Sequence, residues 1–171
     1  MSFDLTLPPI LGVVGLVIAF AIYTVMSRAP AGEGKIQSIA EQIHIGAMVF
    51  MHREYKLLLA FAAVLVVGIL ASPLGTDTAI AFVAGAVSSA TAGYLGMYAA
   101  TKANVRTANA AQKGLAQALS VAFSGGAVMG LGVVGLGALG LGSLFLFYQA
   151  QYGDDIGKVL SVLTGFSFGA S

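Results

Sequence analysis

Long apolar stretches constrain the fold of this chain more than any other sequence feature. The first covers about residues 7–26, and a helix of about 20 residues, rising about 1.5 Å per residue, matches a hydrocarbon core of about 30 Å. Further stretches cover about residues 57–72, 78–100 and 120–148, and a fifth, 156–171, stops at the last residue. Because 58% of the residues are hydrophobic and 9% are charged, the chain cannot form a water-soluble surface. The sequence therefore predicts an all-α fold, a polytopic transmembrane helix bundle with four complete spans and a truncated fifth.

The segments that connect the spans contain most of the polar residues. In residues 27–56, isoleucines recur at helical spacing opposite polar side chains, which predicts an amphipathic helix at the membrane interface that ends at a charged cluster. Pro73 and Gly75 predict a tight turn, so spans two and three should form a helical hairpin. Residues 101–119 predict a solvated continuation of the third helix that breaks at a glycine before the fourth span. We therefore interpret the whole chain as a single transmembrane region.

Basic residues are distributed unevenly between the two sets of connecting segments. Those in the segments after spans one and three are Arg28, Lys35, Arg53, Lys56, Lys102, Arg106 and Lys113. The opposite set contains Lys158 together with Asp4, Asp77, Asp154 and Asp155. Lys and Arg are retained preferentially on the cytoplasmic side of a membrane. The N-terminus is therefore predicted to face the outside or the lumen, with the basic segments 27–56 and 101–119 in the cytoplasm.

Small residues recur at every fourth position in two spans. The third-span stripe is Ala81, Gly85, Ser89 and Gly93, and the fourth-span stripe is Ala122, Gly126 and Gly130. Because burying apolar surface against lipid gains little, membrane helices associate through close van der Waals contact, which small residues permit. We expect each stripe to pack against a neighbouring helix. No Lys-Ser or Lys-Thr pair follows the glycine-rich segment, so a phosphate-binding loop is not supported.

The residue types expected of an active site are missing from the spans. None of the four complete spans contains a charged residue, although a charge in the hydrocarbon core usually marks an ion path. Cysteine is absent, which excludes disulfides, thiolate metal sites and a cysteine nucleophile. Eight Lys and Arg against seven Asp and Glu give no reason to expect a nucleic-acid partner. We therefore predict no catalytic, cofactor-binding or metal-binding residue in this chain.

The connecting segments offer two candidate sites before the second span. His44 and His52 are eight residues apart, which is too far for the one-turn spacing of a zinc site on one helix. We interpret both as interfacial polar residues. The adjoining cluster has the chemistry to bind a phosphate, but charges and an aromatic at the end of a span are ordinary membrane anchors. That cluster is Arg53, Glu54, Tyr55 and Lys56.

Two more polar groups follow later in the chain. The first comprises Asn104, Arg106, Thr107 and Asn109. This group either orders a neighbouring loop of a larger protein or solvates a helix end. The second is the pair Asp154 and Asp155, which either attracts a cation or caps the following helix through its dipole.

Three strings in the sequence resemble one protein family in content and in order. They are GKIQSIAEQIHIGAMVFMHREYK, GAVSSATAGYLGMYAATKANVRTANAA and ALSVAFSGGAVMGLGVVGLGALGL. Together they resemble the N-terminal region of membrane-bound, ion-translocating (proton-pumping) inorganic pyrophosphatases, from about Gly34 to Ser171. The closing GFSFGAS is similar to the start of that family's fifth helix.

This resemblance implies a longer enzyme, a homodimer with its N-terminus outside, that hydrolyses magnesium pyrophosphate in the cytoplasm and drives H+ or Na+ outward. In that family the residues that bind magnesium and phosphate lie on an inner ring of helices that begins with the fifth. None of these residues can be assigned to a position in this sequence. Spans one to four are then expected to be mainly outer scaffold, and the 171 residues alone are expected to be inactive.

An alternative from another class is a small non-enzymatic membrane protein, such as a packing subunit or a channel component. Helices rich in small residues suffice for that role. The coding sequence beyond residue 171 distinguishes the two hypotheses. A continuation rich in Asp and Lys favours the pump, and a stop codon favours the small protein.

Overall fold

The computed structural model describes residues 5–153 and 155–171, so Asp4 and Asp154 lie outside the described residues. Within these ranges the chain is helical and contains no strand. Its helices are α1 (Leu7–Ser27), α2 (Lys35–Ala71), α3 (Gly75–Ala111), α4 (Leu115–Tyr152) and α5 (Ile156–Ala170). The first four are long and apolar enough to cross a membrane. The predicted all-α bundle of spans is confirmed.

Glycines in the left-handed region mark two of the connections. Gly75 has φ 81° and Gly114 has φ 137°, a conformation that residues with a side chain rarely adopt. Gly75 is the first residue of α3, so a three-residue connection, 72–74, closes the predicted α2–α3 hairpin. Gly114 directly precedes α4. Both predicted breaks are confirmed.

The predicted end of the interfacial helix was wrong. A single helix of 37 residues, α2, contains both the amphipathic segment and the second span. No proline interrupts residues 35–71, and the charged cluster consists mostly of good helix formers, so the helix propagates through it. A helix of this length is about 55 Å long, well beyond a hydrocarbon core of about 30 Å.

The chain divides into two compact units whose boundaries fall inside helices. The first unit contains residues 5–14, 55–91, 134–153 and 155–171. The second unit contains residues 15–54 and 92–133. Each unit therefore has segments of α1, α2, α3 and α4, and α5 belongs to the first unit.

A buried cluster in the first unit joins α3, α4 and α5. Ala81 on α3 and Val159 on α5 are fully buried, and Tyr148 on α4 is 1% exposed. Phe166 of α5 belongs to the same cluster. The third-span stripe therefore packs against α5 at Ala81 and Gly85, as its small-residue pattern predicted, whereas Ser89 of the same stripe is exposed.

Backbone atoms of α3 and α5 come into direct contact at glycines. A Cβ at Gly85 would overlap the carbonyl oxygen of Phe166, and a Cβ at Gly169 would overlap the carbonyl oxygen of Phe82. At Gly165 a Cβ would lie 2.5 Å from the carbonyl oxygen of Thr78. These positions require glycine because the facing atoms belong to the backbone and cannot rotate away.

The fourth-span stripe was predicted on the wrong face of α4. Gly126 and Gly130 have no neighbouring atom within 4 Å of an added Cβ, and Ala122 is exposed. Other glycines make the contacts: an added Cβ would lie 2.5 Å from Ala103 Cβ at Gly125, and 2.7 Å from Pro9 Cδ at Gly142. Four-residue spacing selected Gly126 and Gly130, whereas the adjacent Gly125 lies between Val121 and Met129 at that spacing and still makes the contact, and successive residues point about 100° apart. Spacing alone therefore could not select the packed row.

The apolar part of α2 is the least packed of the spans. None of its most apolar window of 18 residues is buried. In the first unit, α2 and α3 flank an apolar groove of about 620 Å³. Tyr55 Oη on α2 donates a hydrogen bond of 2.6 Å to the carbonyl oxygen of Ala90 on α3. This hydrogen bond links the two helices of the hairpin, while the apolar sides of the hairpin remain largely exposed.

Candidate functional site

Polar side chains of α3 hold the end of α1 and the segment that follows it in the second unit. Arg106 donates from Nη2 to the carbonyl oxygen of Ser27 at 2.9 Å, and from Nε to the same oxygen at 3.3 Å. Its Nη1 donates to the carbonyl oxygen of Lys102 at 2.8 Å. The last carbonyls of a helix have no partner within that helix. Arg106 therefore caps α1 while remaining fixed on its own helix.

The next turn of α3 holds the loop itself. Asn109 Nδ2 donates to the carbonyl oxygen of Pro30 at 3.0 Å. Gly32, with φ 81°, lies against the same side chain, since an added Cβ would be 2.9 Å from Asn109 Oδ1. The predicted polar group thus orders a loop of this same chain through Arg106 and Asn109. Of the other two members of this group, Asn104 is exposed and Thr107 is half-buried.

His44 belongs to a contact between α2 and α3. Its Nδ1 lies 2.8 Å from Thr101 Oγ1, and Thr101 Oγ1 donates to the carbonyl oxygen of Tyr98 at 3.0 Å. Thr101 Oγ1 thus lies between the His44 imidazole and the backbone of its own helix at Tyr98. The imidazole also packs edge-on against Tyr98, with ring centroids 5.5 Å apart. His52 is exposed and lies outside this contact.

The charged cluster of α2 divides between exposed charges and one bound tyrosine. Arg53, Glu54 and Lys56 are exposed, whereas Tyr55 is half-buried and bonded to α3. Tyr55 therefore serves as a contact between helices. The exposed Arg53, Glu54 and Lys56 are available as membrane anchors, and that role stays a prediction.

A second polar group, in the first unit, joins the ends of α3, α4 and α5. Tyr152 Oη donates to the Asp77 carboxylate, and Tyr148 Oη donates to the Asp77 carbonyl oxygen at 3.2 Å. The Lys158 ammonium lies 3.9 Å from the centre of the Tyr152 ring, a cation–π contact. Asp155 Oδ1 accepts from the Lys158 backbone amide at 3.0 Å, so the predicted cap of α5 is confirmed for Asp155.

Sequence analysis did not predict that these residues come together in two polar groups. Arg106 and Ser27 are 79 positions apart, as are Asn109 and Pro30. Tyr152 and Asp77 are 75 positions apart. The sequence offers one signal: polar side chains near helix ends, where backbone groups have no partner within their own helix. It does not indicate which helix supplies the partner.

A family model described as inorganic H+ pyrophosphatase matches residues 13–171. The chain belongs to that family.

Relatives of this pyrophosphatase-family chain have names that describe ion pumps. A Clostridium tetani protein, provisionally named a K(+)-stimulated pyrophosphate-energized sodium pump, is 48% identical over 160 residues, which are 94% of this chain and 22% of that protein. A K(+)-insensitive pyrophosphate-energized proton pump of Methanosarcina mazei is 40% identical over 164 residues, covering 95% of this chain and 23% of that protein. A K(+)-insensitive pyrophosphate-energized proton pump 2 of Moorella thermoacetica is 38% identical over 160 residues, covering 94% and 23%.

The chain therefore spans less than a quarter of the length of the curated relatives it matches. It is a multi-pass membrane protein, as its four apolar helices and its family both indicate. Relatives named as sodium pumps and as proton pumps both match it.

Magnesium is the cofactor that the family resemblance implies. Magnesium prefers carboxylate oxygens at octahedral geometry. In the part of the chain that the structure describes, no group of three or more His, Cys, Asp or Glu side chains is placed to hold a metal ion. Asp77 and Asp155 have other partners, a tyrosine and a helix amide. We therefore assign no magnesium ligand to the described residues.

Proposed function

We propose that this chain forms the N-terminal part of a membrane pyrophosphatase that couples hydrolysis of magnesium pyrophosphate to outward transport of H+ or Na+. The family match over residues 13–171 is the observation that supports this most directly. Pump names on relatives at 38% to 48% identity point the same way. Long apolar helices joined by basic segments fit a multi-pass membrane domain.

Within that pump, the role we propose for this segment is mainly that of a scaffold. Its helices meet through glycines whose partners are backbone atoms, as at Gly85 and Gly169. Several of its polar side chains bond backbone carbonyls of other helices, as Arg106 and Tyr55 do. Such bonds hold neighbouring helices together. We accordingly expect the chain alone to be inactive as a pyrophosphatase.

We also propose the orientation in which the N-terminus faces the outside or lumen and the basic segments face the cytoplasm. The second unit, which contains Arg106, Lys102 and the loop after α1, would then include the cytoplasmic ends of the spans. Asp77, Tyr152 and Lys158 would lie at the outer ends. Pyrophosphate, the lipid bilayer and a second copy of the pump in a homodimer are the partners that follow from this assignment.

A chimera tests the proposed function. The matching region of the Clostridium tetani relative is replaced by residues 1–171, and inverted vesicles are assayed for pyrophosphate-driven uptake of protons or of radioactive sodium. We expect magnesium-dependent hydrolysis and ion uptake in the chimera. Correct insertion with no hydrolysis would argue against the assignment. The purified 171-residue chain, incubated with magnesium pyrophosphate, should release no more phosphate than a heat-inactivated sample.

A further inference from the structure

An apolar groove in the second unit lies between α1, α3 and α4. Its volume is about 380 Å³. Lining side chains from the three helices include Leu16, Phe20, Tyr23, Leu95, Tyr98 and Met129. The groove is therefore formed by segments of three candidate spans that pack side by side within one unit.

The groove is open and its apolar walls are exposed. Phe20 is 69% exposed, Leu95 is 51% exposed and Met129 is 47% exposed. These residues belong to candidate membrane spans, where exposed apolar side chains meet the hydrocarbon of lipid tails. An apolar groove in that medium suits an acyl chain.

The groove becomes polar along α3. Tyr98 lies in its lining, and the Lys102 ammonium, one turn further along α3, lies 5.7 Å from the centre of the Tyr98 ring. Tyr23 lies near the end of α1 and also lines the groove. Tyrosines are common where a span meets the headgroup region. The apolar groove thus ends beside two tyrosines and a cation.

Lys102 is the basic group best placed to meet an anion at this end. Arg106, one turn beyond, already donates to the carbonyl oxygens of Ser27 and Lys102. The Lys102 side chain is half-buried, and its ammonium rests on an aromatic face. Basic pockets between membrane helices on the cytoplasmic side bind the headgroups of anionic lipids.

We propose that this groove binds one anionic phospholipid, with an acyl chain between α1, α3 and α4 and the phosphate at Lys102. Apolar walls alone would accept any lipid chain, so selectivity for an anionic headgroup rests on the cation at the groove's end. The proposal is independent of pump activity, because every contact it uses lies within the second unit.

The chain contains no tryptophan, which permits a clean test. Phe20→Trp places a single fluorescent reporter in the groove wall. Ile18→Trp, two residues away on the opposite side of α1 and 45% exposed, is the matched control at nearly the same depth. The whole chain is reconstituted in phosphatidylcholine vesicles containing a minor fraction of dibrominated phosphatidylglycerol or dibrominated phosphatidylcholine, and quenching is measured. Leu95→Trp on α3 serves as a second reporter if Phe20→Trp lowers the helix content.

We expect the groove reporter to favour phosphatidylglycerol over phosphatidylcholine by about fivefold, the effect of one basic residue near an anionic surface. The Ile18→Trp control should show no preference. Lys102→Gln should abolish the preference at the groove, whereas Lys113→Gln, at an exposed position, should retain it.

Any of three results would overturn the proposal. The first is equal quenching by both lipids at the groove reporter, and the second is a preference that survives Lys102→Gln. The third is a groove reporter that neither brominated lipid quenches while the control is quenched by both, since protein would then fill the groove.

Discussion

Substituting Gly85 by alanine tests whether α3 and α5 pack through direct backbone contact. An added Cβ at Gly85 overlaps the carbonyl oxygen of Phe166 and lies 2.9 Å from the backbone nitrogen of Ala170. Because backbone atoms cannot move aside as a flexible side chain can, α5 must shift away from α3. Overpacking of this kind typically costs about 1–3 kcal/mol. The lost contacts with α5 are part of the same cost.

Gly126→Ala is the matched control for this substitution. Gly126 also lies inside a long helix, but an added Cβ there has no neighbour within 4 Å. Both substitutions gain about 1 kcal/mol of intrinsic helix preference. Their difference in stability therefore isolates the contact, and we expect Gly85→Ala to be less stable than Gly126→Ala by about 1–3 kcal/mol.

The assay is equilibrium unfolding of the purified chain in detergent, with increasing sodium dodecyl sulfate and tertiary contact followed by fluorescence. Tryptophan is absent, so a single reporter introduced at Phe168, which is 75% exposed on α5, follows that helix. A Gly85→Ala variant as stable as Gly126→Ala would refute the contact between α3 and α5. A loss of stability in Gly126→Ala would instead mean that the open face of α4 is covered.

Three further predictions concern polar contacts and orientation. Arg106→Ala should destabilise the chain by about 1–3 kcal/mol, because the carbonyl at the end of α1 loses its charged donor. The same substitution should speed proteolysis of residues 28–34. Substitution of the exposed Lys113 by alanine should have neither effect. Tyr152→Phe should lower stability in the same unfolding assay, because its hydroxyl no longer donates to the Asp77 carboxylate, and Tyr94→Phe, 47% exposed, should be close to neutral. Since the chain has no cysteine, single-cysteine variants at Lys113 and Asp155 should react with an impermeant maleimide from opposite sides, Asp155 in intact cells and Lys113 only in inverted vesicles. Labelling of both from one side would contradict the proposed orientation.

Local signals in the sequence were sufficient to predict which segments span the membrane and where the helices break. Gly75 and Gly114 adopt φ values that favour glycine, and both mark the predicted breaks. A stretch of about 20 apolar residues has a single structural solution in a membrane, because a helix satisfies its own backbone. These features depend on neighbouring residues alone, which explains why sequence reasoning succeeded there.

The helix end predicted at the charged cluster of α2 was wrong because the signal there reports the environment and not the backbone. The charged cluster at residues 52–56 marks a change in environment, and a change in environment resembles a helix end in the sequence. Helix continuity, however, depends on backbone propensity and on the absence of proline, and both favour propagation through the cluster. The chain therefore leaves the membrane without ending its helix, and the same holds for α3 beyond its apolar part.

Contacts between helices were the least predictable part of the candidate sites. His44 meets Thr101 across 57 positions, and Arg106 meets Ser27 across 79. Nothing in the local sequence of His44 distinguishes a helix contact from a solvated polar residue, since both suit an amphipathic face. Identifying the partner requires the relative rotation of two helices, and a difference of one residue changes the direction of a side chain by about 100°. That sensitivity also explains why Gly125 and not Gly126 meets Ala103: the two glycines are adjacent in α4, and the rotation of the helix decides which of them faces α3.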